Sequence, residues 1–400
     1  MNFRTVFEKY QQKIQFTQTL LCDKINIQKG CENMKVKNYS IVYENPLPQL
    51  KSRQSAFPFV CELKNGELAV VYCIGEAFES VDKITFISFS KDGGKTWSEP
   101  QQMFDFSKEG MPISNCAKAV SLPDGRLVSV GYAFYRGNPA LPLGNPETGG
   151  LLDDFVFWSV SEDDGKTWSE PEKIECAWGP HVEASAPITV LADGTWITPI
   201  TGFPDWEGKS HGRMCGRALR SEDEGKTWND DSVCMEFDGD NVTCYEQRMC
   251  QLESGTIINI GWNENVETGE RYENHYTASF DNGRTWTKPQ STGIVGQVSS
   301  VCAIGGERLL ALHAIRRDTD RPGIYGCIVD FSEKKWNIIK KTLVWEPLTP
   351  MVKDKNMAEI FSFLKFGQPG AIMLSDGDVM MSHWFAEQGQ YSVMTTRIEL

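Results

Sequence analysis

One eight-residue pattern, S-x-D-x-G-x-T-W, occurs four times in this chain and limits what it can fold into. The copies run from Ser90 to Trp97, Ser161 to Trp168, Ser221 to Trp228 and Ser279 to Trp286, with starts 71, 60 and 58 residues apart. A worn fifth copy reads Asp330 to Trp336. Ser and Asp side chains hydrogen-bond the backbone of their own turn, and Gly allows a positive φ. Trp then offers a large apolar body to neighbouring strands. Asp92, Asp163, Asp223 and Asp281 are therefore expected to be structural hairpin staples, not catalytic groups.

A second periodicity interleaves with the first. Apolar strand, Gly-containing turn and apolar strand recur around Gly66, Gly125, Gly194, Gly255, Gly306 and Gly377. Most of these turns are the Asn-Gly, Asp-Gly or Gly-Gly type that hairpins favour. Each of the first four hairpins is followed by one S-x-D-x-G-x-T-W turn, which joins a third strand to a fourth. Six units of about four strands predict an all-β, six-bladed β-propeller with four-stranded antiparallel blades over residues 38–400. The lone strand from Asn38 to Tyr43 and the last strand, from Tyr391, are expected to share one blade and close the ring. Residues 1–37 read as a polar N-terminal extension.

Composition narrows the partners. The 400 residues carry 40 Lys+Arg against 54 Asp+Glu, a net charge of −14, which argues against a nucleic-acid partner. A local Arg cluster can still oppose that sign and hold an anionic ligand. No window approaches 18 consecutive apolar residues, so no membrane span is expected. The first 34 residues lack a signal-peptide core, which points to the cytoplasm. The 12 cysteines contain no C-x-x-C pair. Cys61, Cys250 and Cys302 read as small buried hydrophobes, and neither a metal site nor a cofactor is expected. Oligomeric state is not set by these features.

In a propeller the first strand of each blade lines the central channel. Its start and the loop between the second and third strands build one mouth, whereas the Asp-bearing turns lie on the opposite face. The strand starts hold Arg53, His181, Glu183, Glu246, Arg248 and Gln368, and charged groups there cost energy unless paired or wet. The loops add Glu79, Asp82, Arg316, Arg321 and several aromatic side chains, a lining suited to a carbohydrate or glycoconjugate.

The repeated box and the six-blade layout resemble the sialidase (neuraminidase) superfamily over roughly residues 38–400. That resemblance implies an Arg triad for a substrate carboxylate, an acidic acid/base residue, and a Tyr nucleophile activated by a Glu. Glu246, in Glu246-Gln-Arg-Met-Cys-Gln-Leu-Glu-Ser-Gly255, is similar to the family's activating Glu. Glu79 and Asp82 lie in the loop where the acid/base belongs. Arg53, Arg248, Arg316 and Arg321 are the candidates for holding a carboxylate, joined by His181 and Gln368 as substrate contacts. Two departures stand out. Ala56-Phe57-Pro58 replaces the family's Arg-Ile-Pro, and Gln368-Pro-Gly-Ala-Ile-Met-Leu374 carries no Tyr where the nucleophile belongs.

The resemblance implies a glycoside hydrolase acting from the end of a glycan on a terminal, acidic, sialic-acid-like sugar. Three alternatives remain open from the residues. Glu183 and Glu246 would serve a two-carboxylate exo-glycosidase, as in exo-arabinanase-like propellers. His181 could act as base in a uronic-acid polysaccharide lyase. The absent Tyr suits a non-catalytic carbohydrate-binding propeller.

Overall fold

The computed structural model describes residues 34–239, 241–317, 319–348 and 365–400. The polar extension expected over 1–37 falls mostly on residues 1–33, outside the described residues. Six antiparallel sheets follow one another around an axis. Blade 1 begins at Gln54–Glu62, blade 2 at Ile113–Ser121, blade 4 at Tyr245–Gln251, blade 5 at Ser299–Ala303 and blade 6 at Phe366–Met373. In blade 3 the innermost strand is split into Val182–Glu183 and Thr189–Val190, with Pro187 in the gap. The chain is an all-β, six-bladed propeller.

Ring closure uses both ends of the propeller. Lys35–Tyr43 pairs as the outermost strand beside Gln390–Glu399, in the blade that opens with Phe366–Met373. That strand starts three residues earlier than its apolar pattern suggests. Joining the first strand to the last removes an open seam, and unpaired strand edges are a liability that closed β folds avoid.

Each Asp-bearing turn is stapled by its own side chains. Asp92 Oδ1 accepts from the Lys95 and Thr96 N–H groups at 3.0 and 2.9 Å, and Oδ2 accepts from Thr96 Oγ1 at 2.7 Å. The Thr96 hydroxyl, with its backbone N–H, holds the Asp92 carboxyl down at about 2. Asp163, Asp223 and Asp281 make the same pair of bonds to Thr167, Thr227 and Thr285. Two of the box glycines also dock one blade on the previous one. A Cβ at Gly225 would meet the Trp158 ring at 2.6 Å, and one at Gly283 would meet Ile197 Cδ1 at 2.4 Å. Both glycines have φ near +80° (88° and 76°), so the turn and the blade contact need the same residue.

The apolar core fills the wedges between successive blades. Val71, Ile87 and Phe104 of blade 1 pack with Ala117, Leu127 and Phe157 of blade 2, and the pattern repeats around the ring. Cys61, Cys250 and Cys302 are buried in it as free thiols, and burial pushes the Cys61 and Cys302 thiols up to about 12. Among the described residues no helix is long and apolar enough to cross a membrane.

Candidate active site

Three innermost strands break their ladders at matching places near one channel mouth. The register skips at Phe57–Pro58 in blade 1, at Glu246–Gln247 in blade 4 and at Gln368–Pro369 in blade 6. Phe57, Glu246 and Gln368 have φ of 58°, 47° and 44°, in the left-handed region. Such a conformation costs about 1–3 kcal/mol for a non-glycine residue, and a bulge re-aims the side chain it carries.

A cation pins the backbone beside each bulge. Lys118 Nζ donates to the Phe57 carbonyl, Arg248 Nη1 to the Gln247 carbonyl at 2.7 Å, and Arg316 Nη1 to the Phe366 carbonyl at 3.0 Å. The Phe57 and Gln247 carbonyls lie in the register skips, and buried carbonyls outside a ladder need partners, which Lys118 and Arg248 supply. Lys118 is buried, which lowers its ammonium below the ordinary lysine range. Burial likewise brings the Arg316 guanidinium down to about 10, against the raising effect of the Glu246 charge. Arg316 also lies so close over Gly367 that a Cβ there would meet Nη1 at 3.0 Å.

Glu246 is partly exposed, and both carboxylate oxygens are held. Trp262 Nε1 donates to Oε2 at 2.8 Å, and Gln368 Nε2 donates to Oε1 at 2.5 Å. Beneath it lies Glu183, only 5% exposed, whose Oε2 accepts the Glu246 backbone N–H at 2.9 Å. Ser185 donates its hydroxyl to the other Glu183 oxygen, and Arg248 reaches that hydroxyl at 3.1 Å. Burial first, then the Glu246 charge, pushes the Glu183 carboxyl up to about 7. Glu183 therefore supports the bulge from behind.

The predicted arginines have separate partners. Arg53 pairs with Asp82 at 2.9 Å and Arg321 makes a two-pronged pair with Glu346 at 2.9 and 3.1 Å. Arg248 faces Ser185 inside the channel. Arg316 lies close enough to Glu246 for the carboxylate charge to act on its guanidinium, and its Nε is buried without a protein hydrogen-bond partner.

In blade 1, burial raises the Glu79 carboxyl above its ordinary range although Lys83 and Arg136 act the other way. Asp82 behaves oppositely. Partial burial pushes it up, but hydrogen bonds from the Glu76 N–H, Ser80 and Arg53 outweigh that and leave it lowered. The aromatic side chains form two clusters. Phe78 contacts Phe57, Trp384 and Tyr391 at ring distances of 5.1–5.5 Å, and Tyr245 contacts Trp262 at 5.6 Å and Phe203 at 6.2 Å.

His181, at the start of the blade 3 strand, stacks on His211 with ring centroids 4.7 Å apart. Sequence reasoning did not single out Trp262 as a partner of Glu246, nor Lys118 and Arg136. Lys118 had a signal, because Cys116-Ala-Lys-Ala places a charge on the channel-lining face of an apolar strand.

A BNR repeat-like domain matches residues 143–321. Among solved structures, a protein of unknown function from Dyadobacter fermentans is 18% identical, with a TM-score of 0.69 over 92% of this chain and 100% of that one. The NanB sialidase of Streptococcus pneumoniae is 13% identical, with a TM-score of 0.65 over 90% of this chain and 70% of that one. The intramolecular trans-sialidase of Ruminococcus gnavus, solved with oseltamivir carboxylate, is 12% identical, with a TM-score of 0.59 over 90% and 97%. At such identities the likeness speaks for the fold. The chain is thus a six-bladed β-propeller carrying BNR repeats of the Asp-box type, in the fold that sialidases share.

Proposed function

We propose that the protein is a glycoside hydrolase acting on a terminal acidic sugar, with Glu246 as its reactive carboxylate. The observation that carries this reading is the setting of Glu246. It stands on a strained bulge at the channel mouth, oriented through both oxygens by Trp262 and Gln368, with the Arg316 charge beside it. A group oriented through both oxygens loses little freedom on reaction, which is how positioning lowers a barrier. Arg316 would hold the sugar's own carboxylate, since a guanidinium fork matches carboxylate geometry. Glu79, raised by burial, would protonate the departing oxygen, while Glu246 attacks the anomeric carbon or takes a proton from water. Glu183 then acts through Glu246 as a positioning residue.

Release of a chromophore from 4-nitrophenyl glycosides of acidic and neutral sugars tests the reading. Turnover of an acidic member, falling about a hundredfold or more in E246Q, is the expected result. Full turnover in E246Q would sink the assignment.

One observation favours a second reading. Gln368 stands where the resemblance places a Tyr nucleophile, and an amide cannot serve as one. A non-catalytic carbohydrate-binding propeller would bind acidic glycans saturably and release no product at any pH.

A further inference from the structure

His181, Asp205 and His211 come from two segments that the fold brings together at the blade 3 side of the mouth. His181 precedes the strand Val182–Glu183, and the other two lie between Trp196–Gly202 and Cys215–Ser221. One donor atom from each lies within 4.8 Å of the other two. The imidazoles are stacked, 4.7 Å apart and 23° from parallel. His211 Nε2 and Asp205 Oδ2 are 2.7 Å apart.

We propose that these three residues form a binding site for one divalent transition-metal ion of the Zn2+ type. His181 is only 7% exposed, and its Nδ1 is buried with no hydrogen-bond partner. The nearest carboxylate to that nitrogen, Asp153, is 3.9 Å away. An unsatisfied buried nitrogen costs free energy that a metal bond or a partner would recover.

The loop is already shaped for the task. Asp205 Oδ1 accepts the Lys209 N–H at 2.8 Å, and the Gly208 N–H donates to the Asp205 carbonyl at 2.8 Å. The Phe203 N–H donates to the His181 carbonyl at 2.8 Å, tying loop to strand. From blade 2, Asn145 and Thr148 both donate to the Trp206 carbonyl, at 2.9 and 2.7 Å. Zn–N and Zn–O bonds of about 2.0–2.2 Å need donors about 3.3 Å apart, so a shift of up to about 1.5 Å closes the set.

The donor chemistry selects the ion. Two imidazole nitrogens and one carboxylate oxygen suit zinc and its neighbours, whereas calcium and magnesium prefer oxygen alone. Three protein ligands leave a coordination position open for water or a substrate oxygen. His181 is two residues from Glu183, so the ion would stand next to the support of the Glu246 bulge. The site stands on its own residues and does not depend on the hydrolase reading.

The test uses the full chain, treated with chelator, then titrated calorimetrically with ZnCl2 and with MgCl2. One Zn2+ per chain and no saturable Mg2+ heat is the expected result, with a metal-dependent rise in Tm. H211A and D205N should each weaken Zn2+ binding about tenfold or more. Both lie in a loop, and Tm in chelator reports whether either variant is folded. Zn2+ binding of equal strength in wild type and folded H211A, or none in wild type, overturns the site. Neither result bears on turnover by Glu246, so the two proposals fail separately.

Discussion

Gln368 donates its side-chain amide to Glu246 Oε1 at 2.5 Å, joining the bulge of blade 6 to the bulge of blade 4 across the channel mouth. The two residues are 122 positions apart in sequence. Both carry left-handed backbone, and a side chain is spent at each position to hold the other. A side-chain amide in this place orients the carboxylate but cannot itself act as a nucleophile.

Removing that contact should cost ligand more than fold. Hydrogen bonds to charged groups contribute about 1.5–3 kcal/mol, so Q368A and W262F should each weaken acidic-sugar binding about tenfold. The pair of variants combined should lose less than the sum, because both bonds orient the same carboxylate. Calorimetric titration of the three variants checks this, and additive losses would show two independent contacts.

Arg316 makes a separate prediction through charge. R316A should lower affinity for an acidic sugar about 10- to 100-fold, with a neutral analogue of the same sugar little affected. Arg316 also pins the Phe366 carbonyl, so a general loosening of the mouth would weaken both ligands alike. The ratio of the two affinities separates charge from support.

Glu183 predicts a pH effect of definite sign. Its folded carboxyl lies at about 7 against an ordinary 4.5, so the folded chain binds the extra proton between those values. Stability from this group is fully present below pH 4.5 and is lost as pH rises through 7, by about 3 kcal/mol in order of magnitude. E183Q retains an acceptor for the Glu246 N–H and removes the titration. Tm of E183Q should therefore fall less than that of wild type between pH 5 and 8.

The buried histidines predict the opposite slope. Burial brings His313 and His383 down to about 3, from an ordinary 6.5. Their stability is present above pH 6.5 and is lost as pH falls toward 3, by at most about 1.4 kcal/mol per pH unit each. His383 lies against Trp345 with ring centroids 4.7 Å apart, so H383F preserves an aromatic neighbour. The difference in Tm between wild type and H383F should widen against the wild type as pH drops from 7 to 5. An unchanged difference would mean that His383 takes up its proton in the fold over the same pH range as in the unfolded chain.

Cys116 should be the reactive thiol of the channel. It is partly exposed, and Cys73 first, then Lys118 and Lys83, lower its thiol against the raising effect of burial. Burial raises Cys61, Cys250 and Cys302 instead. Iodoacetamide at pH 7 should label Cys116 before these three, and C116S should abolish the fast phase. Equal labelling rates would contradict the assigned thiolate.

The blades were legible because their signals are local. Asp92 reads as a staple from Ser90, Gly94 and Thr96 alone, since all the bonds it makes close within four residues. Glu246 was legible as a charged start of an innermost strand. Its partner Trp262 was not paired with it, because only strand register decides which side chain lies opposite. The partners of the Arg set were hidden for the same reason. Arg321 looks available in the sequence, yet Glu346 lies within reach once the outer strands of blade 5 are paired.

What the sequence determined by itself is the number of blades, the closure of the ring and the face that the Asp turns occupy. Turn chemistry and strand alternation act over a few residues and repeat, so each copy checks the others. What only the tertiary structure decided is the content of the mouth. Three left-handed bulges, the cations that pin them, and the meeting of His181 with His211 depend on backbone register and on segments from separate blade elements. Pairwise contacts of that kind carry no periodicity, because each is made once, where the closed ring brings its strands to the axis.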